Sequence, residues 1–292
     1  MAQGQVKPLF HTPAHGCGWA HTHRRDAWWA GPLATALGLG AFGVYATFRA
    51  IYNAEYHVGP DTGVMEGHAY LLSPFYSPLI VVPWLPSWIS PAFLILWMPG
   101  GFRLTCYYYR KAYYRAFFLD PVGCSVGEPS MFCGVPRGHD YKGETRLLTF
   151  QNLHRYFLYL ALGFLVILFI DFILSCKWPQ VDDAENVVRD AEGNVAGYQF
   201  GLSLGSLVLL ANVVLLTLYT FSCHSLRHLI GGGLDSFSRN PLERARYKLW
   251  VWASKLNASH MLFAWVSLFM VGFADLYVWL VASGMISDPA WF

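Results

Sequence analysis

The chain has 292 residues, of which 55% are hydrophobic and only 13% charged, where a soluble domain carries about 25% charge. That deficit makes lipid the main solvent, and a net charge of +2 offers no basis for a nucleic-acid partner. The six cysteines form no CxxC pair and lack the spacing of a secreted disulfide framework.

Residues 1–30 contain no apolar run, so no cleavable signal peptide is expected there. Instead His11, His15, Cys17, His21 and His23 cluster there. Without regularly spaced cysteines this segment reads as a cytoplasmic arm that docks soluble partners. A membrane span needs roughly 20 mainly apolar residues. The first expected span is 31–51, rich in small residues that permit close helix packing. A loop with His57 and His68 follows. Pro83, Pro86 and Pro91 break the stretch after it, so 76–88 reads as interfacial or re-entrant. The second span is expected at 90–117, kinked at Pro99, and the third at 150–175. Residues 177–198 are polar and acidic, hence a loop outside the bilayer. The fourth span is expected at 200–228, closed by Gly231, Gly232 and Gly233, and the fifth at 249–284. No internal repeat is evident. The reading is an all-α polytopic bundle of about five helices, 31–292 forming one membrane domain.

Orientation comes from loop charge. Arg103, Arg110, Lys111, Arg115, Arg137, Lys142 and Arg146 fall in one connection. Arg227, Arg239, Arg244, Arg246, Lys248 and Lys255 fall in another. The opposite loops hold only Lys177 and Arg189. The basic connections are expected on the cytoplasmic side, which puts the N-terminus inside and the C-terminus outside.

On this topology Cys106, His154, Cys223 and His260 fall at one depth, one from each of four helices, at the cytoplasmic end. Two thiolates and two imidazoles are the ligand set of a Rieske-type [2Fe–2S] centre. A structural zinc would accept the same set, and a haem b would need two histidines and no cysteine. His224 and His228 are alternative imidazoles, and Cys124 and Cys133 alternative thiolates. Arg110, Ser225, Arg227, His228 and Tyr109 are candidate quinone or supporting donors near the ligands. Asp171 and Asp275 lie inside spans towards the outer side. Ionisable residues at membrane depth are functional candidates, so these two and Tyr277 are candidates for proton movement or an outer quinone pocket. A small-molecule transporter would show inverted repeats, which five spans do not provide. A cofactor-free anchor would leave the convergent Cys and His unexplained.

The stretches GFRLTCYYYRKAYYRAFF, NLHRYF, FSCHSLRHLIGG, KLNASHMLFAW and DLYVWLVASG resemble the membrane-anchor subunit of succinate dehydrogenase. The similarity is to the actinobacterial type, which has one five-helix anchor and a membrane-embedded Rieske-type cluster. The resemblance covers about 30–290. It implies an FAD-carrying flavoprotein that oxidises succinate and an iron–sulfur subunit, both on the cytoplasmic side of a bacterial plasma membrane. It also implies delivery of electrons to a quinone, menaquinone above all. The succinate-oxidising residues would lie on the partner chains.

Overall fold

The computed structural model describes residues 24–60, 65, 67–80, 86, 89–118, 152–182, 186–233 and 235–291. Helices α1 (Ala30–Tyr52), α2 (Ala92–Thr105), α3 (Tyr107–Phe118), α4 (His154–Ser175), α5 (Leu204–Phe221), α6 (His224–Gly231), α7 (Pro241–Asn257) and α8 (His260–Ala282) dominate. Three antiparallel two-stranded ribbons accompany them: β1 (His57–Val58) with β2 (Leu71–Leu72), β3 (Lys177–Pro179) with β4 (Tyr198–Phe200), and β5 (Leu202–Ser203) with β6 (Ala290–Trp291). The arm cysteine and histidines, Cys124 and Cys133 lie outside the described residues.

Contacts divide the chain into two units, Met1–Ala41 with Tyr107–Thr149, and Phe42–Cys106 with Phe150–Phe292. In the first unit, Arg24 pairs with Asp26. On α3 the Arg110 guanidinium lies 5.3 Å from the centre of the Tyr107 ring, and Tyr109 is buried.

Four helices among the described residues, α1, α4, α5 and α8, are long and apolar enough to cross a membrane. At about 1.5 Å per residue the two of 23 residues, α1 and α8, each reach roughly 35 Å, enough for a hydrocarbon core of about 30 Å. Helix α2 has 14 residues, or about 21 Å, and still runs from the ribbon end of the second unit to the Cys106 end. The expected continuous helices over 90–117, 200–228 and 249–284 are each broken. Cys106 takes an extended backbone (φ −63°, ψ 130°), Cys223 another (φ −66°, ψ 137°), and Ala258 and Ser259 separate α7 from α8. The chain departs from a helix where hydroxyl side chains bond their own backbone. Thr105 donates to the Gly101 carbonyl (2.7 Å) and Ser222 to the Tyr219 carbonyl (2.9 Å). Asn257 donates to the Ser222 carbonyl (2.7 Å), which the break leaves without a helical partner. The triple glycine ends the short α6 and not a span. The polar 177–198 loop holds the β3–β4 ribbon.

In the second unit α2 packs on α4, α4 on α5, and α5 on α8. Lipid tails are as apolar as leucine, so close approach and polar contacts must hold such helices together. Gly101 provides the approach of α2 to α4, because a Cβ there would sit 2.2 Å from the Phe157 ring. At the ribbon end Val58, Leu71, Val208, Leu209, Val278 and Val281 form one apolar cluster. Asp288, beyond α8, accepts from the Gly205 N–H (2.8 Å) and the Tyr277 hydroxyl (2.7 Å), and His68 lies 3.0 Å away. Burial alone would raise the Asp288 carboxyl, but the contacts of His68, Tyr277, Ser203 and Gly205 outweigh it and hold it below the usual carboxylate range.

Arg49 and Asp275 form an ion pair in the apolar bundle, 2.8 Å apart and both fully buried. Tyr45 and Ser73 also donate to this carboxylate, each at 2.5 Å. Breaking a buried pair by removing one partner costs about 3–5 kcal/mol. Arg49→Met and Asp275→Leu are each expected to lower thermal stability by that order. The double variant should recover much of the loss, which a thermal-shift cycle on the detergent-solubilised complex reads directly.

Candidate functional site

The four residues singled out by depth come together at one end of the second unit, from the ends of α2 and α5 and the starts of α4 and α8. Cys106, Cys223 and His154 are buried and His260 is half-buried. Both thiols are free. The donors form two couples. His154 Nε2 lies 3.1 Å from Cys223 Sγ, and His260 Nε2 lies 3.5 Å from Cys106 Sγ. Among the described residues no three or more of His, Cys, Asp and Glu gather as they would around a single metal ion.

The other side of each imidazole is also engaged. His154 Nδ1 lies 2.8 Å from Thr105 Oγ1, and His260 Nδ1 lies 2.7 Å from Ser222 Oγ. Each hydroxyl proton is already directed at a backbone carbonyl, that of Gly101 or Tyr219. A carbonyl can only accept, so each hydroxyl accepts from its histidine. Both rings therefore carry the proton on Nδ1 and present a lone pair at Nε2 to a thiol. A supporting hydrogen bond on one ring nitrogen leaves the other free to act as an acceptor or ligand.

Aromatic rings fix the orientation of both imidazoles. Phe102 stacks on His154 (4.6 Å between centres, 6° between planes), and Tyr219 stacks on His260 (5.2 Å, 16°). Arg103 lies over the Tyr219 ring, its guanidinium carbon 4.6 Å from the ring centre. It donates to the Ala264 carbonyl (3.1 Å) and to Ser267 (3.0 Å). Phe102, Arg103, Tyr219 and Thr220 also line an apolar cavity of about 230 Å³ that extends between the helices towards Phe75.

Of the remaining candidates, Ser225 touches one of these four residues. His224 and His228 face each other on exposed α6, Nε2 to Nε2 at 3.0 Å, and not a thiol. Arg227 lies 4.8 Å from the Trp250 ring centre, and the Ser225 N–H donates to Cys223 Sγ (3.4 Å). The three outer candidates do not form one site. Asp275 belongs to the Arg49 group, Tyr277 to the Asp288 group, and Asp171 accepts from Ser77 beside a groove of about 520 Å³ shared with Tyr70 and Lys177. Thr105, Ser222, Phe102 and Tyr219 were not singled out from sequence. Their signal is their fixed offset from the cysteines, four residues before and one before.

If Thr105 and Ser222 hold the histidines in this way, removing either acceptor leaves a buried imidazole N–H unpaired, at about 1–3 kcal/mol. Thr105→Val is expected to lower stability of the complex by that amount and Thr105→Ser to restore it. Equal stability of all three forms by thermal unfolding would remove the hydroxyl's assigned role.

Comparison with known proteins gives a consistent picture. The family profile described as actinobacterial succinate dehydrogenase subunit SdhC matches residues 30–284. Among solved structures, a chain of the Mycobacterium smegmatis Sdh1 complex in the apo form is similar at 37% identity and a TM-score of 0.73, over 100% of this chain and 99% of that one. No curated protein sequence matches.

Proposed function

This chain belongs to the actinobacterial succinate dehydrogenase SdhC family, and on that footing we propose that it passes electrons through a Rieske-type [2Fe–2S] cluster on Cys106, His154, Cys223 and His260 to a membrane quinone. It is a membrane subunit of a succinate dehydrogenase complex in the bacterial plasma membrane, and its partners are a flavoprotein and an iron–sulfur subunit. The observation that carries the proposal is the pair of imidazoles, each with Nδ1 against a hydroxyl and Nε2 against a buried thiol.

These residues fit the group. Two thiols and two neutral imidazoles are its donor set, and their division into two couples suits a binuclear cluster better than a single zinc ion. A haem b is disfavoured, because a thiol stands in front of each Nε2 where the haem iron would have to lie. The cluster, when bound, supplies a one-electron relay at a potential above that of all-cysteine clusters.

The chain's own residues do the rest. Thr105 and Ser222 keep Nε2 available, and Phe102 and Tyr219 keep both rings in place. The same two aromatic rings form part of the wall of the 230 Å³ cavity, so a quinone ring in it would lie against the side chains that touch the histidines. Arg103 and Tyr219 supply polar groups to orient a quinone carbonyl, and the apolar remainder suits its ring. The isoprenoid tail suggests itself as the reason the cavity continues towards Phe75, and menaquinone is the substrate the family resemblance implies. The basic residues of α6, α7 and the turn between them, Arg227, Arg239, Arg244, Arg246 and Lys248, support a cytoplasmic orientation of this end under the positive-inside rule. There they face the partner subunits.

Low-temperature EPR on the reduced complex, with an optical haem spectrum alongside, tests this reading. A [2Fe–2S] signal of Rieske character should be present and should disappear in His154→Ala and His260→Ala, while signals of the partner subunit's clusters remain. A haem α-band without that signal would contradict it. For the cavity, Leu216→Trp is expected to lower succinate:quinone activity at least about tenfold with the signal intact, a barrier change of roughly 1.4 kcal/mol. Unchanged turnover would place the quinone elsewhere.

A further inference from the structure

The groove beside Asp171 is separate from the cysteine–histidine end and from its cavity. It holds about 520 Å³ at the ribbon end of the second unit. One wall is a face of α4, where Ile167, Ile170 and Leu174 stand three and four positions apart. They cover about 10 Å of helix at a rise of 1.5 Å per residue. Leu72 and Leu79 continue the apolar lining. Polar groups gather where α4 meets the β3–β4 ribbon. Lys177 opens β3 two residues after the helix ends, Tyr198 opens β4, and Tyr70 stands just before β2.

Three donors thus line one groove. The side chains of Lys177, Tyr70 and Tyr198 make no hydrogen bond or ion pair among the described residues. Burial, and after it the charge of Asp171, pushes the Tyr70 phenol up to about 12, so it remains a donor at neutral pH. The acid in the groove is already engaged, because Asp171 accepts from Ser77. Helix α4 fixes the depth. Its 22 residues measure about 33 Å, close to a hydrocarbon core of about 30 Å. Lys177 therefore falls at the edge of the hydrocarbon, and the apolar wall lies within it. Ile170 and Tyr198 are each 50% exposed, so the groove opens sideways to lipid.

We infer that this groove binds one phospholipid of the leaflet at the ribbon end. Lys177, Tyr70 and Tyr198 hold its phosphate, and one acyl chain lies along Ile167, Ile170 and Leu174. Donors without acceptors call for an anion rich in acceptor oxygens, and phosphate is one that a lysine holds as a point charge. A free phosphate would leave the apolar wall uncovered, and a fatty acid would offer two oxygens to three donors. A lysine and tyrosines at a bilayer edge ordinarily reach for any passing headgroup. Here an apolar wall continuous with them adds a place for the chain. The lipid would bridge α4, the segment before α2 and the β3–β4 ribbon, and so brace the ribbon against the bundle.

Native mass spectrometry of the intact, detergent-purified complex tests this. One diacyl phospholipid per copy of this chain should survive detergent exchange. Lys177→Gln combined with Tyr198→Phe should lower its retention at least about tenfold, the effect of one lost charge-assisted contact. Lys177→Arg should keep it, and Ile170→Trp should expel it by filling the groove with all three donors in place. The measured mass reports assembly of each variant, so lost binding is distinguished from lost folding. Dioleoylphosphatidylethanolamine added to the delipidated complex should raise its unfolding temperature, and the double variant should not respond. Equal retention in wild type and double variant, or a fatty acid or quinone retained in place of the phospholipid, would overturn the inference. An equal rise with inorganic phosphate alone would reveal an anion site without a lipid and overturn it as well.

Discussion

A threonine or serine hydroxyl that has given its proton to its own helix can only accept from whatever lies opposite. At Thr105 and Ser222 that constraint sets the chemistry of this end of the protein. The hydroxyl proton goes to the Gly101 or Tyr219 carbonyl, the Nδ1 proton of His154 or His260 comes to the hydroxyl, and Nε2 is left as a lone pair facing a thiol. The same back-bonding coincides with the helix breaks at Cys106 and Cys223 that turn the sulfurs towards the histidines. Tautomer, ring orientation and thiol direction thus follow from one local arrangement used twice.

The bundle must hold four helix ends in register without help from the hydrophobic effect, since its outer surface meets lipid. It does so at both ends with polar contacts. Near the ribbons, Asp275 collects Arg49, Tyr45 and Ser73, which fixes α8 against α1 and the chain before α2. At the other end Arg103 ties α2 to α8 through Ala264 and Ser267. Between them Gly101 lets α2 come close to α4. A charge that the sequence presents as a functional acid, Asp275, is neutralised by an arginine at full burial, which makes it a clamp on the scaffold that positions the cysteines and histidines.

The convergence of Cys106, His154, Cys223 and His260 was legible in the sequence because helical rise converts position into depth, and a Cys or His from each of four apolar runs reached one level. Membership of a helical membrane bundle was legible from composition. The breaks within the second, fourth and fifth runs were not, since no proline or glycine stands at Cys106, Cys223 or Ala258 to mark a stop. Arg49 gave no sign of its partner because Asp275 is 226 positions away. Phe102, Thr105, Tyr219 and Ser222 escaped notice because the stretches before Cys106 and Cys223 share character only at the cysteine and at one and four positions before it. The small ribbons were invisible for a similar reason: strands of two or three residues have no periodicity to read.

The most direct measurement is density for the assembled complex at high enough resolution to place individual metal atoms. The account requires two irons lying among Cys106, His154, Cys223 and His260, with Thr105 and Ser222 still on the Nδ1 side of each imidazole. A single metal ion there, or a porphyrin ligated by the same histidines, would contradict it.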